Sequence, residues 1–330
     1  MTYVLLFVKP PPYASGRKRS EAMYYLISFA TAMLVSAMVT VNGTLSNAYG
    51  TYLSTVMIHA VGIVPASLIA LVRRERVFAV RGLKPGVFLG GAIGVITVVC
   101  NNAAYTGGIG VSAMVALSLL GQTVASLLVD QFGLFHMPVK RFNGAKLIGL
   151  LFTAAGIGCM LYGAKTAILP VLLSFLMGVT IVLSRSVNAL LAEKTSLFVS
   201  TWYNYSVGLS VSLCVWLLTR LMQGAPSLPE AVAAVPLWAY LGGLMGVVTV
   251  SVQSFVTPRM PAFQLTLILF VGQVFMGLVL DALSGAGGSA QEWIGGVFAV
   301  AGLSLNALLD RRAERGKPAE GKPHASEGRK

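Results

Sequence analysis

Two long stretches of this chain contain no Asp, Glu, Lys or Arg, and they restrict its fold more than any other feature. The first covers residues 22–72 and the second residues 85–129. Each stretch is long enough for two membrane helices of about 20 residues. Over the whole chain 56% of residues are hydrophobic and only 11% are charged, whereas soluble domains carry roughly 25% charged residues. The chain is therefore predicted to be an all-α integral membrane protein.

The net charge of +13 does not indicate a nucleic-acid partner. The basic residues are concentrated in the predicted loops and tails, where the positive-inside rule places them in membrane proteins. Cys100, Cys159 and Cys214 all lie in apolar segments. They are expected to pack as small hydrophobic side chains, with no disulfide framework.

Several landmarks occur twice along the chain in the same order. A Gly-Gln pair with an Asp eight residues after the Gln, for example, appears once in each half. The matched positions are Asn42/Asn188, Gly62/Gly208, Gly91/Gly243, Gly94/Gly246, Gln122/Gln273, Asp130/Asp281, Gly149/Gly295 and Gly156/Gly302, at offsets of 146 to 152 residues. A duplicated unit of this size in an apolar chain is typical of membrane transporters.

Hydropathy and the positions of Pro and Gly predict ten membrane helices. Their approximate ranges are 23–46, 53–72, 86–105, 111–130, 146–163, 167–190, 199–220, 236–257, 262–281 and 293–309. The first five form one repeat, residues 23–163, and the last five form a second, residues 164–309. Residues 1–22 are predicted to be an N-terminal cytoplasmic extension without a convincing signal peptide; whether they belong to the native protein stays open. Residues 310–330 are predicted to be a disordered basic tail.

The distribution of Lys and Arg predicts how these helices are oriented. With ten helices, 22 of the 24 basic residues fall on one side of the membrane, and only Lys165 and Arg220 fall on the other. The basic side, which includes both termini, is therefore expected to be cytoplasmic. Because each repeat has an odd number of helices, the second repeat would cross the bilayer in the opposite sense to the first.

Two segments carry a resemblance to a known family. Asn42-Gly43-Thr44-Leu45 with Gly62 downstream, and the run Gly-Gln-Thr-Val-Ala-Ser-Leu-Leu-Val-Asp-Gln-Phe-Gly at 121–133, resemble the YdcZ-type family of the drug/metabolite transporter superfamily. The second half is similar but more diverged, since the Phe-Gly after Asp281 is missing. The resemblance implies two inverted five-helix repeats around a cavity lined partly by the third, fourth, eighth and ninth spans. It also implies export or exchange of small solutes across the bacterial inner membrane.

Polar side chains inside apolar spans are the first candidates for substrate binding, because burying them without a partner is costly. Gln122 lies about 12 Å along a helix from Asp130, near mid-membrane, and Gln273 is its counterpart. The candidate substrate-binding residues are Gln122, Gln273, Asn101, Asn102, Gln253 and Tyr105. The alternative is that the amides hold neighbouring helices together while Tyr105 belongs to an interfacial aromatic belt.

Four ionisable residues are candidates for coupling or gating: His59, Asp130, Asp281 and Arg185. His59 could exchange protons at its unperturbed pKa of about 6.5, or sit neutral and satisfied in the bundle. Asp130 and Asp281 are expected to be hydrated at the membrane interface or paired, Asp130 with Lys140 or Arg141. Arg185 is expected to snorkel to the interface; the alternative role, attraction of anions, would favour acidic substrates.

The matched residues Asn42 and Asn188 are predicted to be structural, as caps or as links between helices. Gly62 and Gly208 belong to the same repeated motif, and the other repeated glycines would allow close helix approach. This small-residue pattern leaves both a monomer and a homodimer open.

The predicted function is secondary-active transport, in the export direction, of small polar or amphipathic organic molecules. An enzyme is not expected, because the spans hold no paired carboxylates, no Ser/His/Asp arrangement and no metal-ligand cluster. No cofactor or metal is therefore expected; the expected partners are a small-molecule substrate, membrane lipids and, in one hypothesis, protons. The alternatives are an ion or small-solute channel, although filter-like sequences are absent, and a membrane-embedded structural or regulatory protein.

Overall fold

The computed structural model describes residues 17–80, 82–136, 167–222, 235–260, 262–283 and isolated positions at 151, 154–156, 158, 294, 297, 298 and 301. All regular secondary structure in these residues is helical. In these ranges the α-helices are α1 Arg17–Tyr49, α2 Thr51–Val72, α3 Gly90–Thr106, α4 Val111–Phe132, α5 Ile168–Lys194, α6 Leu197–Met222, α7 Gly242–Val256 and α8 Ala262–Leu283. Short 3-10 helices precede α3 and α7, at Pro85–Phe88 and Leu237–Leu241.

These helices have the length and composition of membrane spans. Within the described ranges, seven segments are long and apolar enough to cross a bilayer, and α8 contains a shorter apolar segment, Gln264–Leu280. The prediction of an all-helical membrane protein is confirmed. The predicted fifth and tenth spans, 146–163 and 293–309, lie outside the described residues apart from isolated helical positions. Residues 17–22, predicted as part of an extension, instead continue α1.

Glycine and proline set several of the helix ends. Gly50 separates α1 from α2 with φ of 78°, and Gly133 ends α4 in the left-handed conformation with φ of 59°. Both conformations favour glycine because it has no Cβ. Pro85 begins the 3-10 helix before α3, where its missing N–H costs no hydrogen bond.

Helices from the first half of the chain pack mainly against helices from the second half. The largest contacts join α3 to α5, α4 to α5, α1 to α8, and α2 to α6. Helix α4 is the most enclosed of these segments. In its most apolar stretch 83% of the residues are buried, against 17% in that of α6. Its face carries the largest buried hydrophobic cluster, which includes Met114, Leu119 and Phe270 of α8. Helix α4 therefore acts as a central packing element.

Close helix contacts depend on glycines at matched positions of the two halves. A Cβ at Gly91 would overlap the backbone oxygen of Asn204, and a Cβ at Gly243 would overlap that of Ile58. Asn204 and Ile58 are themselves 146 residues apart, the offset seen for Asn42 and Asn188. The α3–α6 and α7–α2 contacts are therefore built in the same way, with glycine allowing the two backbones to approach.

Candidate functional site

A cavity of about 140 Å³ lies among seven of the described helices. Helices α1, α3, α5 and α7 supply most of its lining, with smaller contributions from α2, α6 and α8. Its polar lining residues are Asn42, His59, Thr97, Asn101, Ser184, Arg185, Asn188, Asn204, Tyr205, Thr249, Gln253, Ser254 and Gln273. We call this the central cavity.

The remaining lining is apolar. Val35, Met38 and Val39 of α1, Val98 of α3, and Met177 and Ile181 of α5 all face the same space. A cavity with an apolar wall and a few converging polar groups is the usual form of a small-molecule site. Such a lining suits an amphipathic solute.

Three of the predicted substrate-binding residues line the central cavity: Asn101, Gln253 and Gln273. They come from α3, α7 and α8, so the structure brings together residues far apart in sequence. Asn101 donates from Nδ2 to Oδ1 of Asn102 at 3.1 Å. Its own Oδ1 is buried and has no hydrogen-bond partner among the described residues, so Asn101 retains an acceptor for another group.

The other three predicted binding residues do not line the cavity. Gln122 is fully buried in α4, and neither of its side-chain polar atoms has a hydrogen-bond partner within the described ranges. Helix α4 is packed between α5 and α8, which explains why its polar residues are shielded from the cavity. No described residue of the predicted fourth span lines the central cavity.

Asn102 and Tyr105 contact neighbouring helices instead of the cavity. Asn102 donates from Nδ2 to Oγ of Ser54 at 3.0 Å and to Oγ1 of Thr55 at 3.3 Å. These bonds join α3 to α2, as the alternative interpretation of an interhelical link expects. The ring of Tyr105 lies where a Cβ at Gly43 would be, so it fills a notch on α1.

Arg185 is buried, with 4% of its surface exposed, and it lines the central cavity. Its position differs from the expectation that it snorkels to the interface, because α5 presents it toward α4 and α8. Nη2 donates to Oγ1 of Thr266 at 3.1 Å, and that hydroxyl is 2.9 Å from Oγ of Ser126. A cation is therefore held inside the helix bundle.

Asp130 provides the opposite charge. It is 3% exposed and interacts electrostatically with Arg185, so the expected hydrated carboxylate at the interface is not what the structure has. It is not among the cavity-lining residues. Lys140 and Arg141, its predicted partners, lie outside the described residues, as does the side chain of Asp281.

His59 and its counterpart Tyr205 meet across the bundle. Their ring centroids are 5.9 Å apart, and both side chains line the cavity. Nδ1 of His59 is 2.8 Å from the backbone oxygen of Thr55. A carbonyl oxygen only accepts, so Nδ1 carries the proton in this bond. The hydroxyl of Tyr205 donates to the backbone oxygen of Gly243 at 3.2 Å.

Asn42 and Asn188, predicted as structural, line the cavity at equivalent places. Asn42 Oδ1 lies against Gly242, the first residue of α7, and Asn188 Oδ1 lies against Gly90, the first residue of α3. Asn188 also donates from Nδ2 to Oδ1 of Asn204 at 2.9 Å. The two asparagines thus connect α1 to α7 and α5 to α3 while contributing polar groups to the cavity.

Gly62 and Gly208 lie behind the lining. A Cβ at Gly62 would overlap the ring of Tyr205, and a Cβ at Gly208 would overlap the ring of His59. Each glycine therefore makes room for the aromatic residue of the other half. Asn204 is absent from the predicted site, although as a polar residue in the apolar seventh span it meets the criterion that selected Asn101.

Comparison with known proteins supplies a family. The family described as "Putative inner membrane exporter, YdcZ" matches residues 23–159 and 169–305, two segments that correspond to the two halves of the chain. No curated protein matches the chain significantly. Twenty-six solved chains are similar to it. One of them, a crystal structure of a protein, has a TM-score of 0.62 at 18% identity and covers 89% of this chain and 99% of its own. At that identity the likeness concerns the fold alone.

Proposed function

Because the chain belongs to the YdcZ family of inner membrane exporters, we propose that it is a secondary-active exporter of small polar or amphipathic organic molecules. Its candidate substrate site is the central cavity, and its mechanism is alternating access. The observation that carries this proposal is the cavity lining, in which α1, α3, α5 and α7 surround apolar walls and convergent amides.

Ten helices in two inverted repeats are part of the proposal. The support is that the same contacts occur with the two halves exchanged. Helix α1 of the first half packs on α7 and α8 of the second, while its counterpart α5 packs on α3 and α4 of the first. The Asn42–Gly242 and Asn188–Gly90 contacts are equivalent in the same way. Two arrangements related by such an exchange have similar energies, which is what an alternating cycle needs.

In the proposed cycle the two equivalent contacts change in opposite directions. Closure at one side of the cavity would tighten the contact between α1 and α7 and loosen the contact between α5 and α3. Closure at the other side would loosen the first contact and tighten the second. Asn42 and Asn188 stand at these two contacts and also line the cavity. A bound solute touching either asparagine would therefore influence both.

The test begins with ligand stabilisation. Purified protein is screened against small polar and amphipathic metabolites for increases in unfolding temperature, and each hit is then tested for counterflow in proteoliposomes. Saturable counterflow supports a transporter. Non-saturating flux without counterflow would contradict the proposal and indicate a channel.

A matched pair of variants tests the site itself. Gln253→Leu removes a cavity-lining amide, and its binding of the hit compound is expected to weaken about tenfold, the effect of one lost hydrogen bond of about 1.4 kcal/mol. Gln122→Leu is the control, since Gln122 lies away from the cavity and has no described hydrogen-bond partner. It should bind and transport as the wild type does. A loss confined to Gln122→Leu would contradict this assignment.

A further inference from the structure

The central cavity has an unbalanced charge on its wall. Among the described residues that line it, Arg185 alone is an Asp, Glu, Lys or Arg. We infer that the transported solute is a small organic anion, a carboxylate or organophosphate with an apolar body, whose negatively charged oxygens bind Arg185. This inference rests on the proposed transport function.

The guanidinium of Arg185 has hydrogen-bonding capacity that the described residues do not use. Nη2 donates to Thr266, but Nε and Nη1 are buried without a hydrogen-bond partner in the described part of the chain. A guanidinium carries five N–H donors in a planar fork that matches carboxylate and phosphate oxygens. Buried unused donors are costly, so an anion reaching them would relieve that cost.

Asp130 supplies a negative charge that attracts Arg185 from within the protein. Its carboxylate interacts electrostatically with Arg185 but belongs to α4, which contributes no lining residue. Of this pair, Arg185 therefore belongs to the cavity lining, whereas Asp130 lies behind that lining. A solute in the cavity lies on the Arg185 side of the pair, and the low dielectric of the interior strengthens its attraction to the cation.

The rest of the lining fits the body of such a solute. Met38, Val98 and Ile181 offer apolar contact. Asn42 and Asn101 each have an Oδ1 that is buried and has no partner in the described ranges. These oxygens accept hydrogen bonds, so they suit hydroxyl or amide N–H substituents of an organic acid once the side chains turn toward the cavity. In the structure both are buried, and that of Asn42 lies against Gly242. A second carboxylate beside them would be disfavoured.

Nε and Nη1 of Arg185 are shielded from solvent in this conformation. Contact with an anion therefore requires the guanidinium to turn toward the cavity. The arginine side chain is long and flexible, and within the described ranges its guanidinium donates one hydrogen bond, to Thr266. The same turn would move positive charge away from Asp130, so anion binding and the Arg185–Asp130 pair are expected to compete.

A matched set of probes tests the inference: 3-phenylpropionate, phenyl phosphate, 3-phenylpropionamide and 3-phenylpropylamine, which share an aromatic body and differ in charge. Unfolding of the purified full-length protein is followed against the concentration of each compound. At least one anion is expected to stabilise the wild type, while the amide and amine have little effect. Comparison of the two anions separates a carboxylate from an organophosphate site.

Three variants complete the experiment. Arg185→Gln should weaken anion binding at least about tenfold, and Arg185→Lys, which keeps the charge but loses the fork, should fall between it and the wild type. Arg73→Gln is the control for loss of charge, because Arg73 is exposed and lies over Phe198, outside the cavity. If Arg185→Gln is poorly folded, the comparison of anion with amide in the wild type and in Arg185→Lys still decides.

The outcomes separate this inference from the proposed function. Equal stabilisation by the amide or amine, no stabilisation by either anion, or anion binding unchanged in Arg185→Gln would overturn the anionic substrate and leave the exporter proposal standing. Anion binding that depends on Arg185, but without counterflow in proteoliposomes, would support an anion site at Arg185 and overturn both the transporter and the assignment of that anion as its transported solute. Binding with counterflow supports both.

Discussion

At the scale of single residues, polar side chains at matched positions of the two halves have different surroundings. Gln273 lines the central cavity, whereas its counterpart Gln122 is sealed in α4. His59 is matched by Tyr205, and the two rings pack together. The duplication preserves the place of a side chain in its helix, while the neighbouring helices decide whether that side chain meets solvent or protein.

The buried charges give the first residue-scale prediction. Asp130→Asn leaves Arg185 without its described counter-charge, and removing one partner of a buried pair costs roughly 3 kcal/mol. The free energy of unfolding, measured by titration with a denaturing detergent, should fall by about that amount. Glu193→Gln is the control, because Glu193 is exposed near the end of α5.

A double variant sharpens this prediction. Asp130→Asn with Arg185→Gln removes both charges and should be more stable than Asp130→Asn alone, since no uncompensated cation remains. If the two changes are simply additive, the electrostatic link between Asp130 and Arg185 does not contribute to stability.

At the scale of helices, close packing depends on where glycine stands. Gly91 and Gly94 are three residues apart in α3 but differ in their surroundings. A Cβ at Gly91 overlaps the backbone of Asn204, while a Cβ at Gly94 meets Asn204 Oδ1 and Ser184 Oγ at an ordinary 3.7 Å. Only the first glycine is required for the α3–α6 contact.

Gly91→Ala is therefore expected to lower the unfolding free energy by about 1–3 kcal/mol, the usual cost of overpacking. Gly94→Ala should leave stability unchanged or raise it by up to about 1 kcal/mol, because alanine favours helix. Thermal unfolding of the two variants in the same detergent measures the difference. Equal effects would contradict the packing described for α3 and α6.

The helices themselves were largely predictable, because bilayer thickness fixes the length of an apolar span. Helix α4, predicted at 111–130, is Val111–Phe132, and α2, predicted at 53–72, is Thr51–Val72. The face of each helix was harder to predict. Helix α4 is apolar around most of its surface, so its pattern does not indicate that α5 and α8 enclose it.

The site was predictable in residue type and less so in position. Asn101, Gln253 and Gln273 were expected at a cavity, and they line one. Asn102 shares the same criteria but turns to Ser54 and Thr55. Adjacent residues on a helix point about 100° apart. Which of Asn101 and Asn102 faces the cavity therefore depends on where the neighbouring helices pack against α3, and the sequence alone does not give their positions.

At the scale of the whole molecule, the distribution of charge and the exchanged contacts point to one membrane topology. The loop after α2 carries Arg73, Arg74, Arg76, Arg81 and Lys84, whereas the loop between α3 and α4 carries no charge. The positive-inside rule then predicts that the first loop is cytoplasmic and the second lies outside. If the second half is inverted, as proposed, the short connection after Lys194 is again cytoplasmic.

Single cysteines introduced into a variant lacking the three native ones test this topology. Ala79→Cys and Ser196→Cys should react with a membrane-impermeant thiol reagent only after cells are permeabilised, and Gly110→Cys should react in intact cells. Ala79 and Gly110 are exposed, and Gly110 has open space around it. Fluorescent fusions at both ends should report the cytoplasm. In this scheme each half has five spans, and four spans lie between Ala79 and Ser196, so the two sites share a side. Labelling of Ala79→Cys and Ser196→Cys from opposite sides would require an even number of spans in each half and would rule out the inverted pair.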